Sequence, residues 1–303
     1  MKTSETIHLA FSINLGYWRH LNALLISILE NNRDLDFCAH IMTDVAPEKI
    51  EKPLHALQKK YDNIRIDVMQ IDDKQFEGFA LPLRHITVQS YYRCLLPKLF
   101  PQLDKILYLD SDTIVCGRLE ELWNESLDGY YAAGVVALVA IAMEIPFLDS
   151  LGFHGRNDYV NAGVLLLNLK AAREDDLVEK LFSCQQIIHD KIKFLDQDII
   201  NVVMMGRIKL LPLKYNVDTY SSIHDLSQEE PVIVHYTGAD KPWSSWNGGC
   251  HKHRREYLKY ARMMPNGRCS VFCSRAKLWI RDEFRFLKRK LMKTDRKHSA
   301  HLA

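Results

Sequence analysis

At 303 residues, 47% apolar and 26% charged, with a net charge of +2, the chain has globular composition and enough length to bury a substantial core. That excludes a disordered or fibrous chain. Its most apolar run, 132–143, ends at Glu144 after 12 residues, short of the roughly 20 that a membrane-spanning helix needs.

The first element, IHLAFSI at 7–13, reads as a strand, and a polar turn at 14–16 leads into a helix over 17–32 with apolar residues at Leu21, Leu24, Leu25 and Ile28. A second strand is predicted at 37–44, a Pro-started helix at 47–61, and a third strand, alternating with period two, at 64–71. Strand and helix in alternation predict a parallel sheet with crossover helices. Residues 88–100 read as helical, and a strand follows at 106–109. Beyond it, YYAAGVVALVAI (130–141) and YVNAGVLLLNL (159–169) are expected as central strands, 171–190 and 194–205 as helices, and 231–237 as a late strand.

Chemistry-bearing residues gather at the ends of these elements. KILYLDSDTIV, 105–115, is a buried strand that ends on Asp110-Ser111-Asp112, two carboxylates at the carboxyl edge of a parallel sheet, where such sheets bind ligands. The same Asp-x-Asp spacing recurs at Asp34/Asp36 and Asp196/Asp198, so spacing alone does not single it out. A partner does: HYTGADKPW, 235–243, places His235 after an apolar strand. Two carboxylates with an imidazole suit Mn²⁺ better than Mg²⁺. In the same segment Gly238 permits close backbone approach to a phosphate and Lys241 offers it a point charge.

The set YLDSD, YVNAGVLLLNL, LDQDIIN and HYTGADKPW, with LRHITVQSYYR upstream, resembles glycosyltransferase family 8, in the family's motif order over about residues 7–243. The resemblance implies an α/β GT-A fold, a mostly parallel Rossmann-like sheet flanked by helices. It implies a retaining hexosyltransferase that moves galactose or glucose from a UDP-sugar to a saccharide or glycolipid acceptor such as lipopolysaccharide core. Asp110, Asp112 and His235 would hold Mn²⁺, with Mg²⁺ the lesser fit. Gly238 and Lys241 would hold the diphosphate, and Ser111 would lie against the ribose. Arg84, Arg93, Asp196 and Gln197 would hold the donor sugar, and Asn161, Ala162 and Gly163 would line its pocket. Asp196 and Gln197 stand nearest the reaction. The family's Asp-x-x-Tyr at the base is here Asn14-Leu-Gly-Tyr17, and Asn14 can still both accept from and donate to a base edge.

The domain expected to carry this chemistry is 1–246. Residues 247–303 form a basic helical region: 251–303 hold 16 Lys and Arg against 4 Asp and Glu, a balance of +12, leaving −10 on the first 250 residues. Apolar positions Ala276, Ile280, Phe284, Leu287 and Leu291 at helical spacing predict an amphipathic helix for an anionic membrane surface, and no reading head for nucleic acid accompanies the charge. Seven cysteines, an odd number, and a polar amino terminus predict a reduced, cytoplasmic setting, peripheral on the inner face of the plasma membrane. Cys269, Cys273, His251 and His253 match no usual zinc module. Two other readings of the DSD are weighed: a haloacid-dehalogenase-like phosphatase with Asp110 as nucleophile, and an inactive sugar-nucleotide-binding protein. The first expects Thr or Val where Ile114 stands, and the intact ligand set opposes the second.

Overall fold

The computed structural model describes residues 5–81, 87–154, 158–238, 241–243 and 252–264; Arg84 and the amphipathic tail segment lie outside them. Strands β1 (Ile7–Ile13), β2 (Phe37–Thr43), β3 (Ile64–Gln70) and β4 (Lys105–Leu109) run parallel, as the alternation of strands and helices predicts. Then come β5 (Thr113–Val115), β6 (Ala132–Val136), β7 (Val160–Asn168), β8 (Ile208–Leu210) and β9 (Ile233–His235). The main sheet has the order β3-β2-β1-β4-β7-β6-β8, with β7 antiparallel to both neighbours. The architecture is that of a GT-A fold.

Apolar side chains fill both faces of this sheet, because helices cover both. Leu9, Phe11, Leu107 and Leu109 point into one core with helix α1 (Trp18–Asn31), while Ala10, Ile106 and Tyr108 point into the other. Fully burying one such Leu or Ile contributes about 1.5–3 kcal/mol, which fixes the strand register that delivers Asp110 to the sheet edge.

Polar groups then fasten the segment that follows. The Ser27 hydroxyl of α1 accepts from the Val115 backbone N–H at 2.9 Å, and Asn32 Oδ1 accepts from Leu119 N–H at 2.9 Å. These bonds pull β5 onto α1. β5 pairs antiparallel with β9 in a separate two-stranded sheet whose register sets Thr113 opposite His235.

Three expected elements differ. The run 130–141 is split into β6 and a helix over Leu138–Met143, with β6 and β7 losing register between Gly134 and Val136. The stretch 88–100 is mostly a 3-10 helix, Val88–Leu95, followed by one α-turn, Leu96–Leu99; Pro97 has no N–H to continue the ladder. The helix expected at 171–190 breaks into Leu169–Glu174 and Leu177–Ile187, because Asp176 adopts a left-handed φ of 49°. Helix Arg254–Ala261, in the basic region, packs on α1: Tyr257 and Tyr260 are buried, and their hydroxyls meet His20 Nδ1 at 2.7 Å and Asn31 Nδ2 at 2.8 Å.

Candidate active site

The DSD turn closes on itself beyond β4, with Thr113 N–H and Oγ1 both donating to the Asp110 carbonyl at 3.1 and 2.8 Å. The pairing of β5 with β9 then brings His235 to the two acids: its Nε2 lies 3.3 Å from Asp112 Oδ1 and 3.8 Å from Asp110 Oδ2. Donor atoms of Asp110, Asp112 and His235 all fall within 4.8 Å of one another. His235 Nδ1 meets Asn216 Oδ1 at 3.0 Å, so the amide oxygen receives the ring N–H and the Nε2 lone pair faces the carboxylates. This donor set fits a divalent cation.

Gly163 makes room for it. A Cβ built there sits 2.2 Å from His235 Cε1 and 2.7 Å from Asp110 Oδ2, so any larger residue displaces these two side chains. Its neighbour Asn161 accepts from the Gly163 N–H at 3.0 Å and from Asn216 Nδ2 at 2.9 Å, which ties β7 to the residue that orients His235.

Arg93 forms the floor. It is buried, with the guanidinium 3.0 Å from Asp110 Oδ1 and 2.8 Å from Asp196 Oδ2, donating also to the Ala162 carbonyl and lying 4.2 Å over the Tyr108 ring. One cation thus serves two acids. Burial pushes the Asp196 carboxyl up to about 6, since Arg93 only partly offsets it and Asp110 adds repulsion. For Asp112 burial acts in the same direction, but Lys241 and His235 outweigh it and hold the carboxyl well below the usual range. Lys241 Nζ lies 2.5 Å from Asp112 Oδ2; burial lowers its pKa, and that contact reverses the direction to a raised one.

The LDQD segment divides its labour. Leu195, buried and held at a φ of 55°, turns the chain so that Asp196 reaches Arg93. Gln197 Oε1 accepts from Ala162 N–H at 3.1 Å and its Nε2 donates to the Tyr159 hydroxyl at 3.2 Å. Asp198 Oδ2 accepts from the backbone of Lys193 and Phe194, each at 2.7 Å, so this second acid holds the loop.

Most of the expected site residues therefore converge. Two have other contacts: the Ala162 methyl is packed in the core, and Asn14 Oδ1 accepts from Gly16 N–H at 2.9 Å. Tyr17 is half-buried, edge-on to Trp243 at 6.1 Å, and burial followed by the Asp112 charge raises its pKa. Ser111 is buried, and Gly238 takes a φ of 80° that its missing Cβ permits.

The model of Glycosyl transferase family 8 matches residues 8–247. The chain belongs to glycosyltransferase family 8. It is 33% identical over 257 residues to a lipopolysaccharide 1,2-glucosyltransferase of Escherichia coli, covering 80% of this chain and 74% of that one. It is 25% identical over 283 residues to the lipopolysaccharide 1,3-galactosyltransferase of Salmonella typhimurium, covering 88% and 81%. Its fold superposes on galactosyltransferase LgtC, solved with donor and acceptor sugar analogues, with a TM-score of 0.77 at 24% identity, over 85% of this chain and 96% of that one. Membership of this family leaves the phosphatase reading of Asp110 without support. Among the described residues of this glycosyltransferase, no helix is long and apolar enough to cross a membrane.

Sequence reasoning missed Asn216, Tyr108 and Tyr159. Asn216 lies in LPLKYNVD, which has no motif, and it reaches His235 through its neighbour Val217, whose N–H donates to the Ile233 carbonyl at 2.9 Å and whose carbonyl accepts from His235 N–H at 3.0 Å. Tyr108 could have been found: it precedes Asp110 by two residues at the end of β4, and its hydroxyl donates to Asp110 Oδ1 at 2.9 Å.

Proposed function

We propose that this glycosyltransferase moves galactose or glucose from a UDP-sugar to lipopolysaccharide core, with retention of anomeric configuration, using Mn²⁺ held by Asp110, Asp112 and His235. The convergence of these three residues carries the reading; two oxygens and one nitrogen favour Mn²⁺ over Mg²⁺. When bound, such an ion supplies Lewis-acid stabilisation and counter-charge for a departing diphosphate. Lys241 adds a second positive charge beside it, and Gly238 leaves the backbone open to a phosphate. Arg93 and Asp196 hold donor hydroxyls at the floor, while Asn14 Nδ2 and the Tyr17 ring meet the base. Gln197 is a positioning group, its amide already engaged at both ends, and it is no nucleophile. Retention then follows from acceptor attack on the face that the leaving diphosphate vacates, with a diphosphate oxygen taking the acceptor proton. The lipopolysaccharide acceptor rests on the named activities of the relatives. The basic segment beyond residue 264 holds the enzyme against an anionic membrane, at the inner face where that acceptor is built.

A panel of UDP-sugars incubated with enzyme and Mn²⁺ tests the reading. UDP-galactose or UDP-glucose should be cleaved by the wild type, with Asp110→Asn and Asp112→Asn slower by about a hundredfold or more. Absence of cleavage with every divalent metal, or full activity in both variants, contradicts it.

A further inference from the structure

A second cluster of ligand-type side chains lies on the sheet away from the active site. His8 of β1 and Cys38 of β2 are register partners, and His40, two residues on, points to the same face. His8 Nδ1 lies 3.0 Å from His40 Nε2, with the two rings stacked 5.3 Å apart at 7°. Donor atoms of His8, Cys38 and His40 all fall within 4.8 Å of one another. In a tetrahedral zinc site with Zn–N near 2.0–2.1 Å, ligand atoms stand about 3.3 Å apart, so small side-chain movements suffice.

The charged groups beside the cluster are Asp67 and Arg65, the exposed Arg65 guanidinium lying 3.0 Å from Asp67 Oδ2. Asp67 of β3 is register partner to His40; its Oδ2 lies 3.6 Å from His40 Nδ1 and accepts from Cys38 Sγ at 3.5 Å. A carboxylate behind a ligating imidazole fixes its tautomer and raises its basicity. Phe100 packs 4.5 Å from the His40 ring and shields the inner side. His8 is only half-buried and opens on a groove shared with Glu5 and Asp104, an acidic entry for a cation.

We propose that His8, Cys38 and His40 bind Zn²⁺, with the fourth position left to water. Two imidazoles and a thiolate select a borderline-soft ion, whereas the two carboxylates of the Asp110 site select a harder one, so the protein carries two metal sites of different preference. Binding releases the Cys38 thiol proton to solvent, while each imidazole stays neutral, His8 carrying its ring proton on Nε2 as Nδ1 turns from His40 to the ion, and it clips β1 to β2 near their amino ends.

The test uses the full chain, stripped of metal and titrated with Co²⁺ as a spectroscopic stand-in. One equivalent should produce a thiolate-to-cobalt charge-transfer band, which Zn²⁺ bleaches and Mn²⁺ leaves in place. Asp112→Asn should keep the band and Cys38→Ser should lose it. A wild type without the band, or a band of equal strength in Cys38→Ser, overturns the proposal. Should Cys38→Ser fail to fold, the half-exposed His8→Ala decides: Co²⁺ affinity weakened about tenfold or more supports the site, and unchanged affinity overturns it.

Discussion

Asp196 bears the least comfortable charge of the active site. It is buried, it shares one guanidinium with Asp110, and its carboxyl titrates near 6 in place of the ordinary 3.8. Between those values the folded chain keeps a proton that the unfolded chain has released, so stability falls as pH rises, by on the order of 3 kcal/mol once pH exceeds 6. Asp196→Asn removes the charge and leaves Arg93 paired with Asp110. At pH 7.5 its melting temperature should exceed the wild type's by several degrees, with the gap shrinking toward pH 4, while transferase activity is lost. A variant less stable than wild type at pH 7.5, or a gap independent of pH, counts against this account. At this scale the sequence was legible where chemistry needs a rare residue type in a motif: the DSD, His235 and Lys241. It was silent on Asn216, because an amide 19 residues before His235 carries no local signal, and on the crowding at Gly163, because that depends on two other segments meeting.

Strands and helices place these residues, and the decisive element is the short β5. Three residues long, it has little stability of its own and is held between β9 and α1. Asn32 fixes the chain just beyond it, accepting from Leu119 N–H and donating to the carbonyls of Ile28 and Gly117 at 2.9 and 3.3 Å, the first two bonds buried and the third half-buried. Replacing it by Ala strands these groups away from water and should cost about 2–3 kcal/mol in urea unfolding; a loss under about 0.5 kcal/mol shows that β5 is anchored elsewhere. The parallel half of the sheet was readable because strands and amphipathic helices alternate cleanly up to β3. The run 130–141 was not. It is uniformly apolar, which periodicity alone cannot divide between strand and helix, and the split lies where Ala137, Ala140, Leu148, Phe153 and Tyr159 form a small core of their own. The antiparallel course of β7 was likewise unreadable, since a fully buried strand looks the same in either direction.

Over the whole molecule, charge is divided: −10 on the first 250 residues and +12 on the rest. Part of that basic region belongs to the body, because Tyr257 and Tyr260 are buried against α1. A cut after Asn266 keeps this helix and removes the amphipathic segment. The shortened protein should remain folded and cease to float with anionic liposomes in a density gradient, and unchanged flotation removes the membrane-attachment proposal. In the acidic part, Asp110, Asp112 and His235 are proposed to hold a divalent cation against a nucleotide diphosphate. Calorimetric titration of UDP into the protein, with and without Mn²⁺, measures this coupling directly. Binding should strengthen at least about tenfold with Mn²⁺ in the wild type, and not in Asp112→Asn. UDP affinity that ignores Mn²⁺, or a coupling undiminished in Asp112→Asn, contradicts the claim.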